Sequence, residues 1–596
     1  MGTLRGAVSR HSSNRLYELI VILVAALIFG AGATSPPSLM DDVDAVQAQI
    51  ARNMLESGDW VTARLNGVAY LEKAPLKYWM MAASMAVFGP HDWAARVPLV
   101  LSTIALCWLV VRMGAWAFSP LAGLLAGLVL ASCTGLWLFT RILIPDVVLT
   151  FTIALALYGF LRGWAYVFWA SLGAGFLLKG LIAMVFPVAA VLLYCAVSGE
   201  GRRWREWKLL TGPLVTLAIA APWVVLATLR NPPYFDFTMR SAPGEYHGFF
   251  WFFFLNEHLF RFLNMRHPRD YNTVPRLAFW MFHLLWLFPW SLWLPRALRR
   301  PEELESSAAR MRLLCFCWTG FLLVFFTFST TQEYYSMPCY PALALLLGAA
   351  LAREEEGSKW PARVLGVVTG AICVSLTAMF FLSAGYPTPG DISRALTLNP
   401  DAYTLSLGHL RDLTMPAMAY LRTPLLMAAA AFAIGAAGCW WFAGLRRAAL
   451  LTAMMILFTL AARQALIVFD PYLGSRPLAE ALRRAPRGEV IFDNQYYTFS
   501  SVFFYANVRQ GWLLNGRVNN LEYGSYAPGA PAVFLNDTQF AERWRRPERH
   551  YLLVEGPSLP RLEAAVGKGA LHLIKAAGGK YLFANEALES AATMKP

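Results

Sequence analysis

The chain has 596 residues, 57% of them hydrophobic and only 15% charged, yet its formal net charge is +14. An ordinary soluble globular protein, with about 25% charged residues, is excluded. Nucleic-acid binding is excluded as well, because Lys and Arg are scattered between apolar runs instead of clustering on a soluble unit, the pattern of a polytopic membrane protein.

In chain order, Arg5, Arg10 and Arg15 precede an apolar run that ends in Ala31-Gly32-Ala33. That resembles a signal peptide, but a dozen further apolar runs follow, so an uncleaved first helix is expected. Runs long enough to span predict a mostly α fold with about thirteen transmembrane helices. Their approximate limits are 16–34, 93–117, 120–140, 146–162, 164–180, 181–198, 208–229, 274–296, 311–330, 337–352, 362–384, 424–443 and 447–469. Lys179-Gly180 is the only break between 164 and 198. The eight cysteines lie in or beside apolar segments with no metal or disulfide spacing and read as structural filler.

Basic residues mark alternate connections, among them Arg112, Arg162, Arg202, Arg203, Arg205, Lys359 and Arg446-Arg447. The positive-inside rule puts these and the N-terminus in the cytoplasm. The long connections 35–92, 231–273 and 385–423 then face outward, as does the tail after Asp470. Residues 1–470 are expected to form the transmembrane domain, with interfacial helices near 43–57 and 73–88 in the first outer loop. Residues 471–596 are expected to form a small extracytoplasmic α/β domain, with strands at Val490-Ile491-Phe492, Val533-Phe534-Leu535 and Tyr551 to Val554. Gly578-Gly579 would turn a last hairpin, and Asp537 would cap a helix.

The first outer loop concentrates ionisable groups. Asp41, Asp42 and Asp44 follow the first helix, and Glu72-Lys73 stand side by side further on. Helix capping accounts for one aspartate; a catalytic base or a metal ligand competes for the others. Lys73 suits a lipid phosphate, and Glu72 suits a metal or an orienting role.

With these residues in view, the sequence resembles the GT-C membrane glycosyltransferases, specifically the branch of the 4-amino-4-deoxy-L-arabinose lipid A transferases and dolichyl-phosphate-mannose protein mannosyltransferases. The resemblance rests on the acidic run after the first helix, Ile50-Ala51-Arg52 to Met54, Ser57-Gly58-Asp59-Trp60 and Glu72-Lys73-Ala74-Pro75-Leu76. It continues through Arg141 with Pro145-Asp146, Lys179-Gly180, Ala221-Pro222-Trp223, Phe252 to His258, and Met337 to Leu345. Two departures concern the sugar and the acceptor. Val43-Asp44 stands where the family usually has Asp-Glu, and Ser329 to Tyr335 stands where it has a basic stretch.

The resemblance implies a sugar donor carried on a polyprenyl phosphate and a lipid or protein acceptor, used at the outer face of a bacterial inner membrane. Because the phosphate leaves without prior protonation, one base and a single inverting displacement suffice. Asp42 is the expected base with Asp44 the alternative, and Asp146 either joins the site or caps its own helix. Lys73, Arg261 and Arg463 are expected to hold the donor phosphate, although Arg463 equally suits snorkelling from inside the last span. Glu72 and His258 would share zinc or manganese, or His258 is a simple interfacial residue. Arg266, His267 and Arg269 read as headgroup contacts. A transporter or flippase is the competing class, but no internal repeat is visible and the ionisable groups gather at helix ends instead of the midplane.

Overall fold

The structure, a computed structural model, describes residues 2–200, 206–269, 273–299, 306–353, 359–399 and 407–587. Arg202, Arg203 and Arg205 lie outside the described residues, as do the side chains of Arg5 and Arg10. Eight helices are long and apolar enough to cross a membrane, and two bent pairs raise the number to ten. Three shorter helices complete the apolar set: α7 (Asp146–Arg162), α8 (Ala165–Lys179) and α9 (Ile182–Ser198). At 1.5 Å per residue they reach only about 22–26 Å, less than the ~30 Å of a hydrocarbon core. The thirteen expected spans are therefore eight full-length helices, two bent ones and three short ones.

Each bend has a local cause. Helix α5 (Pro120–Ala131) and helix α6 (Thr134–Thr140) meet at 51°. At the break, Ser132 donates its hydroxyl back to Leu128 O at 2.6 Å and accepts from Trp290 Nε1 at 3.0 Å. The segments Arg276–Trp286 and Ser291–Leu298 cross at 103°, with Pro289 between them removing an amide donor.

Burial separates hub from rim. In the segment Glu333–Ala352, 89% of the most apolar window is buried, whereas in Trp360–Gly385 only 17% is. The hub needs small residues: a Cβ on Gly348 would lie 2.5 Å from Ala126 N of α5. The rim helix presents Val367, Val374, Phe381 and Leu382, which are exposed as lipid-facing side chains should be.

After the last span, Gly444–Leu473, the chain builds a six-stranded sheet in the order β5-β4-β3-β6-β8-β7. Its strands are β3 (Glu489–Asp493), β4 (Trp512–Leu514), β5 (Phe534–Leu535), β6 (His550–Glu555), β7 (His572–Ala577) and β8 (Lys580–Ala584). The first four run parallel, and β8 pairs antiparallel with both β6 and β7 across the Gly578-Gly579 turn. Asn536, not Asp537, caps the helix Asp537–Trp544, in a reciprocal box with Gln539.

Two helices of the first outer loop, α2 (Val43–Ser57) and α3 (Leu76–Phe88), stand where amphipathic segments are expected. Helix α2 does not lie open on the membrane surface, however. Val46, Ile50 and Met54 pack into one core with Leu478, Phe492 and Leu553, so the C-terminal region covers the face that was expected to meet lipid.

Candidate active site

The three aspartates after the first helix separate into three environments. Asp41 is tied to the C-terminal region, accepting from Lys580 Nζ at 2.6 Å, Ser475 Oγ at 2.5 Å and Ser501 N at 2.8 Å. Asp44 is buried; its carboxylate accepts from Leu143 N at 2.8 Å and lies 3.9 Å from the Arg96 guanidinium. Burial pushes its carboxyl above the usual 3.8, against the pull of Arg96, the Leu143 amide and Arg141. Asp42 is exposed and begins α2 with φ 69° and ψ −116°, a conformation that costs a β-carbon-bearing residue strain. Its amide donates to Tyr497 O at 2.9 Å, which fixes the strained turn from the C-terminal side.

A second cluster lies around Glu72. Lys73 and Tyr70 both donate to the Glu72 carboxylate, and so does Asn520 Nδ2, at 2.5 Å from the far end of the chain. Lys73 is also 3.6 Å from Glu257, which takes Arg261 and, at 2.5 Å, Arg266. Arg261 reaches Tyr335 Oη at 3.1 Å. Burial works against both carboxylates, yet Arg261, Arg266 and Lys73 hold Glu257 far below the ordinary 4.5. Glu72 is lowered too, chiefly by Lys73, and Lys73 in turn is raised above 10.5 by Glu72 and Glu257 despite its burial. Three cations thus face two carboxylates, and the surplus positive charge suits a phosphate.

Glu257 comes from a π-helical segment, Trp251–Phe260, the kind of local unwinding often found at functional sites. Asn256 there closes its own loop, donating to His267 O at 2.5 Å and accepting from His267 N at 2.9 Å. Arg266, expected at headgroups, has a fully buried side chain locked between Glu257, Pro268 O and Asn520 Oδ1. Asp146 begins α7 and pairs with Lys179 Nζ at 2.6 Å, while its other oxygen is buried without a partner. Lys179 also lies over the rings of Tyr334 and Tyr335 at 5.2 and 4.8 Å, linking this pair to Arg261 through Tyr335. Lys77 of α3 is buried against Gln47 Oε1 at 2.5 Å and Leu143 O at 2.9 Å, and burial drives its ammonium well below 10.5.

His258 does not join Glu72 as a metal ligand in this arrangement. Its Nδ1 faces Phe253 O at 2.5 Å and its Nε2 accepts from Leu181 N at 3.1 Å, so no ring lone pair is left for a cation. Burial lowers its pKa and keeps it neutral. Among the described residues there is no group of three or more metal-donor side chains. The Lys179-Gly180 motif follows from the same contact: Gly180 has φ +66°, and a Cβ there would lie 2.2 Å from His258 Nε2.

Arg463 likewise stands apart from Lys73 and Arg261. It snorkels to the end of the first helix, donating to Thr34 Oγ1 at 2.8 Å and Pro36 O at 2.5 Å, and lines a different cavity with Arg96 and Arg141. Asn520, Lys77, Arg96 and Tyr335 are the site residues that sequence reasoning missed. Only Arg96, a charge at the start of an apolar span, carried a signal.

Residues 72–226 match the family model described as dolichyl-phosphate-mannose-protein mannosyltransferase. An undecaprenyl phosphate-alpha-4-amino-4-deoxy-L-arabinose arabinosyl transferase of Pseudomonas paraeruginosa is 30% identical over 405 residues, 63% of this chain and 67% of that protein. One of Aeromonas salmonicida is 30% identical over 371 residues, covering 58% of this chain and 62% of the relative's length. The crystal structure of ArnT from Cupriavidus metallidurans bound to undecaprenyl phosphate superposes with a TM-score of 0.73 at 21% identity, covering 96% of this chain and 98% of that one. By the extent of the Pseudomonas match, with the whole-chain likeness of fold, this polytopic chain belongs to the family of the undecaprenyl phosphate-aminoarabinose arabinosyl transferases within the GT-C membrane glycosyltransferases.

Proposed function

We propose that the protein transfers a sugar from an undecaprenyl-phosphate donor to an acceptor at the outer face of the bacterial inner membrane, the sugar being 4-amino-4-deoxy-L-arabinose or a relative and the acceptor lipid A. The N-terminus is cytoplasmic and the C-terminal region periplasmic, in keeping with the basic connections. The observation that carries this reading is the cluster in which Lys73, Arg261 and Arg266 outnumber Glu72 and Glu257, with the strained and exposed Asp42 on the same outer loop as Glu72 and Lys73. The names of the relatives supply the donor class.

Asp42 takes the proton from the acceptor hydroxyl as its oxygen attacks the anomeric carbon. The bond from that carbon to the phosphate oxygen breaks, the polyprenyl phosphate departs against Lys73 and Arg261, and the configuration inverts. A positioned base contributes about 10²–10⁴ in rate, and the cationic clamp stabilises the leaving phosphate. Asp44, buried on Leu143 N and beside Arg96, holds the loop that presents Asp42.

The test is turnover of a radiolabelled undecaprenyl-phosphate sugar by the purified full chain, with release of undecaprenyl phosphate on adding lipid A. D42N should lose at least about 100-fold in turnover while still binding undecaprenyl phosphate. Near-normal turnover by D42N would move the base to Asp44. The family-model match at 72–226 favours a second reading, transfer of mannose to protein, and a hydroxylated peptide acceptor in the same assay separates the two.

A further inference from the structure

On the other side of Asp44, away from the Glu72 cluster, a cavity of about 520 Å³, counting its open mouth, lies between the first helix, α4 (Asp92–Ala117), α6 and the last span. A smaller one of about 330 Å³ adjoins it and reaches Asp44 and Asp470. Three arginines, Arg96, Arg141 and Arg463, line this space, and the wall is otherwise largely apolar, with Phe29, Val100 and Trp137.

The guanidiniums are incompletely used. Arg96 is only 6% exposed and spends its terminal nitrogens on Pro37 O at 2.9 Å and Ser38 O at 2.8 Å. Arg141 contacts Met40 Sδ at 3.4 Å, and Arg463 holds Thr34 and Pro36. In all three the Nε–H is buried and has no partner. Buried donors are normally satisfied, so three orphaned ones around one cavity point to an acceptor that belongs there. The two carboxylates do not supply it. Asp470 is engaged by Ser38, through its amide at 2.9 Å and its hydroxyl at 3.0 Å, and Asp44 by Leu143 N. Guanidiniums in convergent array favour phosphate, which can take two donors from each, and the apolar wall favours acyl chains beside it.

We propose that this cavity is a second anion site, separate from the donor-phosphate cluster, which takes the phosphate monoester of an acylated lipid. It rests on the proposed function only in identifying that lipid as the acceptor; the two anion sites would then flank the Asp42–Asp44 turn, one for each substrate. Arg141 is the residue to change, since it makes the fewest protein contacts of the three.

The experiment uses the full chain in detergent, first saturated with undecaprenyl phosphate to fill the donor cluster, then titrated with dioleoyl phosphatidic acid and followed by native mass spectrometry. One phosphatidic acid should bind on top of the undecaprenyl phosphate, at least tenfold more tightly than dioleoyl phosphatidylcholine. R141Q should lose tenfold or more of that affinity and R141K should regain most of it, with undecaprenyl phosphate still bound in both, which shows that the variants are folded. Equal binding of the two lipids, or no change in R141Q, overturns the site. If inorganic phosphate displaces phosphatidic acid at equal concentration, the ligand is a soluble phosphate and the lipid assignment is wrong. Failure of undecaprenyl phosphate to bind at all refutes the proposed function instead, and phosphatidic acid binding lost in R141Q would then still stand.

Discussion

The ion pair of Asp41 and Lys580 fastens the first outer loop to the C-terminal sheet, and its removal tests which aspartate is structural. The two side chains are 8% and 9% exposed, and Lys580 Nζ also reaches Ser475 Oγ and Thr498 O at 3.2 Å. Taking away one partner leaves the other charge buried and uncompensated, at a cost of about 3–5 kcal/mol. At 1.4 kcal/mol per tenfold, that raises the constant for local opening by roughly two to nearly four orders of magnitude. Hydrogen exchange of the β3–β6–β8 amides in K580M and D41N reads this directly, with protection falling in both. The double variant should recover much of the loss, because replacing the whole pair removes the unpaired charge. Single variants with unchanged protection, or a double variant whose loss is the sum of the two, would refute the argument. D42N should leave the same amides as protected as in the wild type, since its side chain supplies no cap hydrogen bond to α2.

Further outcomes follow from the Glu72 cluster and its neighbours. K73Q removes the surplus cation and one charge-assisted contact to phosphate worth about 1.5–3 kcal/mol, so kcat/KM for the donor should fall roughly 10- to 100-fold, with K73R regaining part of it. Because Glu257 is held far below 4.5, its stabilising contribution is complete above pH 4.5 and is lost as the pH falls through its folded value. Thermal melts of E257Q should therefore lie well below wild type at pH 6, and the gap should close as the pH drops under 4.5. G180A adds a Cβ both at positive φ and 2.2 Å from His258 Nε2, and it should lower the melting temperature in detergent by several degrees, equivalent to a strain of about 1–3 kcal/mol.

The positions of the spans were largely legible in hydropathy, because the apolar runs and basic connections are physical properties of the sequence itself. Their integrity was not. Ser132 and Pro289 break two runs whose composition stays apolar throughout, and α7, α8 and α9 are too short by only a few residues each. In the site, Glu72, Lys73 and Arg261 could be picked out because charge at an outer helix end is costly unless used, and they do meet in one cluster. The three neighbouring aspartates looked alike in sequence; what distinguishes them is a lysine 539 residues away, a backbone amide 99 residues away and a backbone angle. Asn520 lies in a stretch with no periodicity or motif, so its bond to Glu72, 448 residues apart, had no signature to read. Helix α2 looked interfacial because its apolar stripe does not say whether lipid or protein will cover it, and here the sheet does.

The contacts of Asn520 and Lys580 also impose an order on the protein's own assembly. The carboxylates they serve, Glu72 and Asp41, are made in the first eighth of the chain, whereas the partners are made after the last span has been synthesised. Throughout membrane insertion the nascent chain therefore holds a first loop whose charges are only partly matched. The reaction centre closes when the C-terminal sheet folds and docks, so a chain stalled or cut before that point would be an inserted but inert bundle. Completion of synthesis is in this sense the step that switches the enzyme on.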